Sequence, residues 1–481
     1  MYNGFNIAQF AVFRNANTNN MVEEFMGILE AIEQVNNVVN GIVWGPYMLV
    51  FLVGTGIFFT IWSKVFQVSG IKTWWKATFG SLFNKEVREK VKNESNITPF
   101  QAVSTALAST VGTGNIAGVA TAIFAGGPGA VFWMWVSGFF GMMTKYAEVV
   151  LAVKYRETDE KGAHHGGPMY YIQNGLKMKW LAVIFAIFGT FATFGIGNMT
   201  QANAIASSLN QSFGIPVLAT GLILTAIIAL VIIGGIKRIA SVTELLVPFM
   251  AVFYFVGSII ILVINAGRLP NVFGLIFSNA FSMRSVGSGV MGYVIMRGMR
   301  YGIARGVFSN EAGLGSAPIA HAASRTKDPV QQGLWGIFEV FVDTIVICTL
   351  TALVVMCAGL YSGDVSGAPL VMASFSQTFG WLGGVFVTIG VFCFAGSTLL
   401  GWSYYGQQCL GYLTNNNKAW DLAYKVIFSL LATVGAIGGL TFVWDVADTL
   451  NGLMAIPNLI ALLLLSKVVM TLTKEHFAKA K

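Results

Sequence analysis

Residues 109–120 read Ser-Thr-Val-Gly-Thr-Gly-Asn-Ile-Ala-Gly-Val-Ala, glycines, hydroxyls and an amide set in an apolar segment long enough to cross a bilayer. Hydrocarbon cannot hydrogen-bond a backbone, so an unwound helix at membrane depth survives only where it faces protein, water or a bound solute. Gly112, Gly114 and Asn115 therefore read as a binding site built into a span.

Working outward, hydrophobic residues make up 55% of the 481 and charged residues 10%, with a mean hydropathy of +0.68. That is the composition of an all-α polytopic membrane protein. Eleven segments reach the ~20 apolar residues a span requires. They are 40–62, 99–124, 129–153, 180–208, 215–235, 241–265, 289–322, 331–360, 380–412, 422–442 and 446–470.

Basic residues set the expected orientation. Lys64, Lys72, Lys76, Lys85, Arg88, Lys90 and Lys92 follow the first span, and Lys154, Arg156, Lys161, Lys177 and Lys179 follow the third. Lys237, Arg238, Arg325, Lys327, Lys418, Lys474, Lys479 and Lys481 fall on the same side, against Arg268 and Arg284 on the other. The chain is thus expected to start outside and to end in a cytoplasmic tail, 471–481, as a multi-pass protein of a prokaryotic plasma membrane. Topology also explains the net charge of +8. No soluble domain offers a basic face, so nucleic acid is not an expected partner.

Residues 1–39 show no cleavable leader and are expected to be extracytoplasmic or interfacial, with an amphipathic helix over Glu23–Gln34. Cys348, Cys357, Cys393 and Cys409 lie in apolar runs and read as packing residues. His164 and His165, with no cysteine or carboxylate cluster to complete a metal site, read as a solvated loop.

The seventh segment, five spans after the second and running the opposite way, is also interrupted. It carries Gly302, Gly306, then Ser309-Asn310-Glu311-Ala312-Gly313-Leu314-Gly315 and Pro318. Broken helices of opposite direction at matching places point to an inverted-repeat transporter. Close helix packing explains Gly126, Gly127, Gly234 and Gly235. It does not explain Asn115 and Glu311, because polar side chains in lipid are costly.

The run Phe100-Gln101-Ala102 through Val111-Gly112-Thr113-Gly114-Asn115-Ile116-Ala117-Gly118-Val119-Ala120-Thr121-Ala122 resembles the signature of the alanine or glycine:cation symporters, the sodium:alanine symporter group. The resemblance extends through Trp44-Gly45-Pro46-Tyr47, Gly126-Gly127-Pro128-Gly129-Ala130, Thr144-Lys145-Tyr146-Ala147-Glu148, Gly166-Gly167-Pro168-Met169-Tyr170 and Gly195-Ile196-Gly197-Asn198-Met199. It closes on Gly306 through Ala320 and covers roughly 40–470. It implies a leucine-transporter-type fold: ten core helices in two inverted repeats of five, 99–265 and 289–470, plus an extra helix, 40–62. It also implies that the glycine-threonine-asparagine group contacts an amino acid and that Gln201 lines the same cavity.

The physics of the second span agrees with this. Unwinding frees N–H groups where the helix dipole carries about half a positive charge, a place for a carboxylate. Carbonyls released from the preceding half-helix suit a hard cation, sodium first. The candidate substrate residues are Thr113, Gly114, Asn115, Gln201, Phe308, Ser309, Asn310 and Trp402; the candidate sodium ligands are the Ala108 and Val111 carbonyls with the Ser397 and Thr398 hydroxyls.

Arg297, Arg300 and Arg305, with Glu339 and Asp343, read as internal ion pairs and gate parts. Asp445 and Asp448 read as outer-gate or solvated groups, Lys145 and Glu148 as neighbours of the cytoplasmic interface, and His321 as interfacial.

The expected activity is sodium-coupled uptake of a small neutral amino acid, alanine or glycine, with glutamine as the alternative and proton coupling less favoured. No enzyme chemistry and no cofactor beyond the coupling ion are expected, since no phosphate-cradling lysine loop is present. A channel would instead show symmetric polar rings.

Overall fold

The computed structural model describes residues 31–83, 96–281, 289–438 and 441–479. The interfacial helix expected at Glu23–Gln34 lies mostly outside them; residues 31–34 form the first turn of α1, Ala31–Trp62. Then follow α2 (Pro99–Thr110), α3 (Gly114–Gly126), α4 (Gly129–Lys154), α5 (Pro168–Leu176), α6 (Lys179–Phe213), α7 (Val217–Ile232), α8 (Gly235–Ile264) and α9 (Leu269–Phe281). The second half contains α10 (Gly289–Asn310), α11 (Ala317–Ala322), α12 (Pro329–Ala358), α13 (Gly367–Phe379), α14 (Trp381–Leu413), α15 (Lys418–Ile437), α16 (Thr441–Leu464) and α17 (Ser466–Lys479).

Among the described residues eight helices are long and apolar enough to cross a membrane, and α2 with α3 form a ninth span bent by 49°. Two of the eleven expected segments fall short of that measure. Segment 215–235 gives α7, 16 residues long, and the arginines of 289–322 make α10 too polar. The C-terminal residues 471–479 are helical in α17, where the Tyr146 and Thr473 hydroxyls meet at 2.7 Å and His476 Nδ1 meets Asp328 Oδ2 at 2.6 Å.

Local chemistry fixes the elements that carry the site. α2 starts on a capping box, in which the Gln101 N–H donates to Thr98 Oγ1 and the Thr98 N–H to Gln101 Oε1, both at 3.1 Å. Among the described residues three helices contain a widened π turn, Gly114–Gly118 in α3, Gly195–Met199 in α6 and Phe341–Cys348 in α12. Such turns re-aim side chains and cluster at functional sites. Here they carry or adjoin Asn115, Gln201 and Asp343.

Candidate functional site

At the first interruption Val111 and Gly112 leave the helix, and two amide side chains take up the freed donors. Asn115 Oδ1 accepts the Gly112 N–H at 2.9 Å, and Gln201 Oε1 accepts the Thr113 N–H at 3.4 Å. Only glycine fits at 112, since a Cβ there would stand 2.4 Å from Thr398 Oγ1.

The other face of the Asn115 amide meets Asp343. Asn115 Nδ2 donates to Asp343 Oδ1 at 2.6 Å and to its carbonyl at 3.2 Å, and lies 3.3 Å from Cys348 Sγ. The Ser309 hydroxyl lies 3.1 Å from Asp343 Oδ1 and 2.9 Å from Oδ2, and the Thr344 hydroxyl donates to Oδ2 at 2.8 Å. Asn310 Nδ2 donates to Thr344 Oγ1 at 3.0 Å. A fully buried carboxylate therefore joins both broken helices. This corrects the reading of Asp343 as the ion-pair partner of an arginine: the wide turn of α12 aims it at neutral groups instead.

The second interruption is anchored differently. Glu311, Gly313 and Gly315 adopt φ of 55°, 92° and 84°. Glycine takes that geometry freely; Glu311 is held in it by Trp402 Nε1, donating to Oε1 at 2.8 Å, and by the Ser316 hydroxyl, donating to Oε2 at 2.5 Å. Glu148 Oε1 accepts the Gly313 and Gly315 N–H groups at 3.1 Å each and Asn458 Nδ2 at 2.6 Å. Asn458 also donates to the Gly313 carbonyl at 2.9 Å and accepts from the Tyr171 hydroxyl.

Four further readings are corrected here. Lys145 and Glu148 are fully buried rather than interfacial. Glu339 forms an internal ion pair, but with Lys145 at 3.4 Å, while its other oxygen meets His321 Nε2 at 2.9 Å. His321 is buried and bonded through Nδ1 to Gln332. His164 and His165 form a hairpin strand against Glu157–Thr158, and His165 Nδ1 meets Gln408 of α14 at 2.8 Å, so that loop is pinned. Burial and the nearby Arg156 push the His164 imidazole down to about 4.

Of the expected cation ligands, the Ser397 and Thr398 hydroxyls each lie 3.1 Å from the Ala108 carbonyl and closer, at 2.8 and 2.9 Å, to the Phe394 carbonyl of their own helix, and Val111 is buried. Phe308 lies under the Arg305 guanidinium, 5.5 Å from ring centre to Cζ. It edges a cleft of about 490 Å³ that reaches Thr113 and Gly114 past Asn203, Ser207 and Arg305. The structure thus brings Thr113, Gly114, Asn115, Gln201, Phe308 and Ser309 to the first break, whereas Asn310 braces Thr344 and Trp402 sits on Glu311. Sequence reasoning missed Glu148 as an anchor and Asn458 altogether; a carboxylate and an amide inside apolar spans were the available signal.

A buried polar site between two interrupted helices of an all-α membrane protein defines a transporter rather than an enzyme. Residues 29–481 match the model of the sodium:alanine symporter family, and the chain belongs to that family. It is 51% identical over 446 residues to the sodium/alanine symporter AgcS of Methanococcus maripaludis, across 91% of this chain and 96% of that one. It is 38% identical over 456 residues to the "Probable sodium/glutamine symporter GlnT" of Bacillus subtilis, across 94% and 92%. Among solved structures, MhsT in complex with L-phenylalanine shares the fold, with a TM-score of 0.55 over 75% of this chain and 89% of that chain at 14% identity.

Proposed function

We propose that this protein carries a small neutral amino acid, alanine or glycine, into the cell together with sodium by alternating access. The observation that carries the reading is the convergence of Asn115 and Ser309, one from each broken helix, on the buried carboxylate of Asp343. The core is two inverted repeats, 99–265 and 289–470, led by α2–α3 and α10–α11, with the breaks at the bilayer midplane and α1 as the extra helix. The N-terminus lies outside and the C-terminus in the cytoplasm of a prokaryote.

The substrate carboxylate replaces the amide oxygens of Asn115 and Gln201 on the Gly112 and Thr113 N–H groups, with Gly114, Phe308 and Ser309 walling the site. Sodium sits at the Ala108 and Val111 carbonyls, where the Ser397 and Thr398 hydroxyls turn their protons away and offer lone pairs. The residues fit a hard cation, since every donor is oxygen. Asn310 and Trp402 support the site through Thr344 and Glu311.

Glutamine is the second reading, supported by the relative whose printed name carries that substrate. Uptake of labelled alanine, glycine and glutamine into proteoliposomes, with and without an inward sodium gradient, tests the proposal. Alanine accumulation that needs the gradient is expected; uptake indifferent to sodium would overturn it.

A further inference from the structure

The lipid-facing surface where α1, α4 and α10 meet is grooved. A cleft of about 460 Å³ runs along it, walled by Leu49, Val53, Val136 and Ile303 and edged by Arg297 and Arg300. Both arginines are exposed and stand one helical turn apart on α10.

A guanidinium in hydrocarbon is expensive, so the depth of these two matters. At 1.5 Å per residue, Arg300 and Arg297 stand roughly 14 and 18 Å above Ser309 along α10. Half of a hydrocarbon core is roughly 15 Å. With the breaks at the midplane, as the proposed function has them, the arginines lie at the phosphate and ester level. Below them the cleft follows α1 from Pro46 to Ile57, roughly 16 Å of helix and one leaflet of chain depth.

Arginine forks match phosphate oxygens, and an apolar groove of that length matches an acyl chain. We propose that the cleft is a binding site for an anionic phospholipid of the outer leaflet, its phosphate on Arg300 and Arg297 and one chain laid along α1. The lipid buttresses α10, the helix whose far end presents Ser309 and Asn310.

The test is native mass spectrometry of the full-length protein taken from nanodiscs of phosphatidylcholine with graded phosphatidylglycerol. The parent should keep phosphatidylglycerol in preference to phosphatidylcholine. The double variant Arg297→Ala, Arg300→Ala should keep about tenfold less or lower, as two basic side chains near a headgroup imply. Gly54→Leu provides an independent check: Gly54 lines the cleft and a Cβ there meets no atom within 4 Å. It fills the chain groove without touching the arginines, and should lower retention of both lipids.

Inorganic phosphate should not displace the lipid. Displacement by phosphate would make this a free-anion site and overturn the proposal, as would equal phosphatidylglycerol retention by the parent and both variants. Retention is read without substrate or sodium, so its failure is distinguishable from a failure of the transport reading.

Discussion

The two broken helices solve the same problem with opposite chemistry. At the α2–α3 break the freed backbone is satisfied by neutral amides, Asn115 and Gln201, over 2.9 and 3.4 Å. At the α10–α11 break a carboxylate, Glu148, grips two glycine N–H groups, while a second carboxylate, Glu311, is held by Trp402 and Ser316. Glu148 Oε1 gathers three donors at once, where each amide oxygen at the first break holds a single backbone N–H. The first break can therefore exchange its partners for a ligand's oxygens, while the second is fixed in shape. On the proposed reading, one end of the site binds and the other holds position.

If that contrast is right, the largest loss comes from the neutral side. Asn115→Ala should lower sodium-driven alanine uptake about a hundredfold or more, since the Gly112 N–H, the Asp343 carboxylate and the Asp343 carbonyl each lose a buried partner worth about 1–3 kcal/mol. Insertion and yield should match the parent; uptake within a few-fold of the parent would break the contrast. Gly114→Leu comes next. A Cβ at 114 already stands 3.2 Å from Ser309 Cα and 3.4 Å from the Phe308 ring, so a leucine fills the space between the two helices. Alanine binding should vanish from calorimetry; normal binding would remove α3 from the site.

Thr398→Val keeps the shape and removes one oxygen from the pair on the Ala108 carbonyl. The sodium concentration for half-maximal uptake should rise about fivefold to a hundredfold, the effect of losing a buried polar partner worth about 1–3 kcal/mol. Saturating sodium should restore much of the alanine affinity, because linkage is reciprocal. An unchanged sodium dependence here and in Ser397→Ala would leave both hydroxyls as packing groups.

The smallest functional effect is expected at the fixed break. Glu148→Gln keeps one acceptor oxygen but weakens its hold on Gly313, Gly315 and Asn458, so stability should fall by about 1–3 kcal/mol, read as a lower midpoint in thermal melts. The alanine KM should change little. A large rise in KM with unchanged stability would place Glu148 in the binding site itself.

The same contrast explains what could be read from the sequence. A glycine-broken apolar run needs only local chemistry to interpret, so Gly112, Gly114 and Asn115 were legible, and so was the second interruption around Gly313 and Gly315. The anchoring groups were not, because charge near a helix end reads as interfacial unless its partner is known. Lys145 on α4 meets Glu339 on α12, His321 on α11 meets that same carboxylate, and Asn458 arrives from α16 to meet Glu148. Those partners come together only through tertiary packing. Asp343 was visible as an intramembrane carboxylate, but the wide turn that aims it at Asn115 leaves no mark in hydropathy.

The most direct measurement is calorimetric titration of alanine into the purified parent, Asn115→Ala and Glu148→Gln, each with and without sodium. The expected result is sodium-dependent binding by the parent, binding within a few-fold of it by Glu148→Gln, and none by Asn115→Ala. Parent-like binding by Asn115→Ala together with loss of binding in Glu148→Gln would contradict the account and move the ligand to the α10–α11 break.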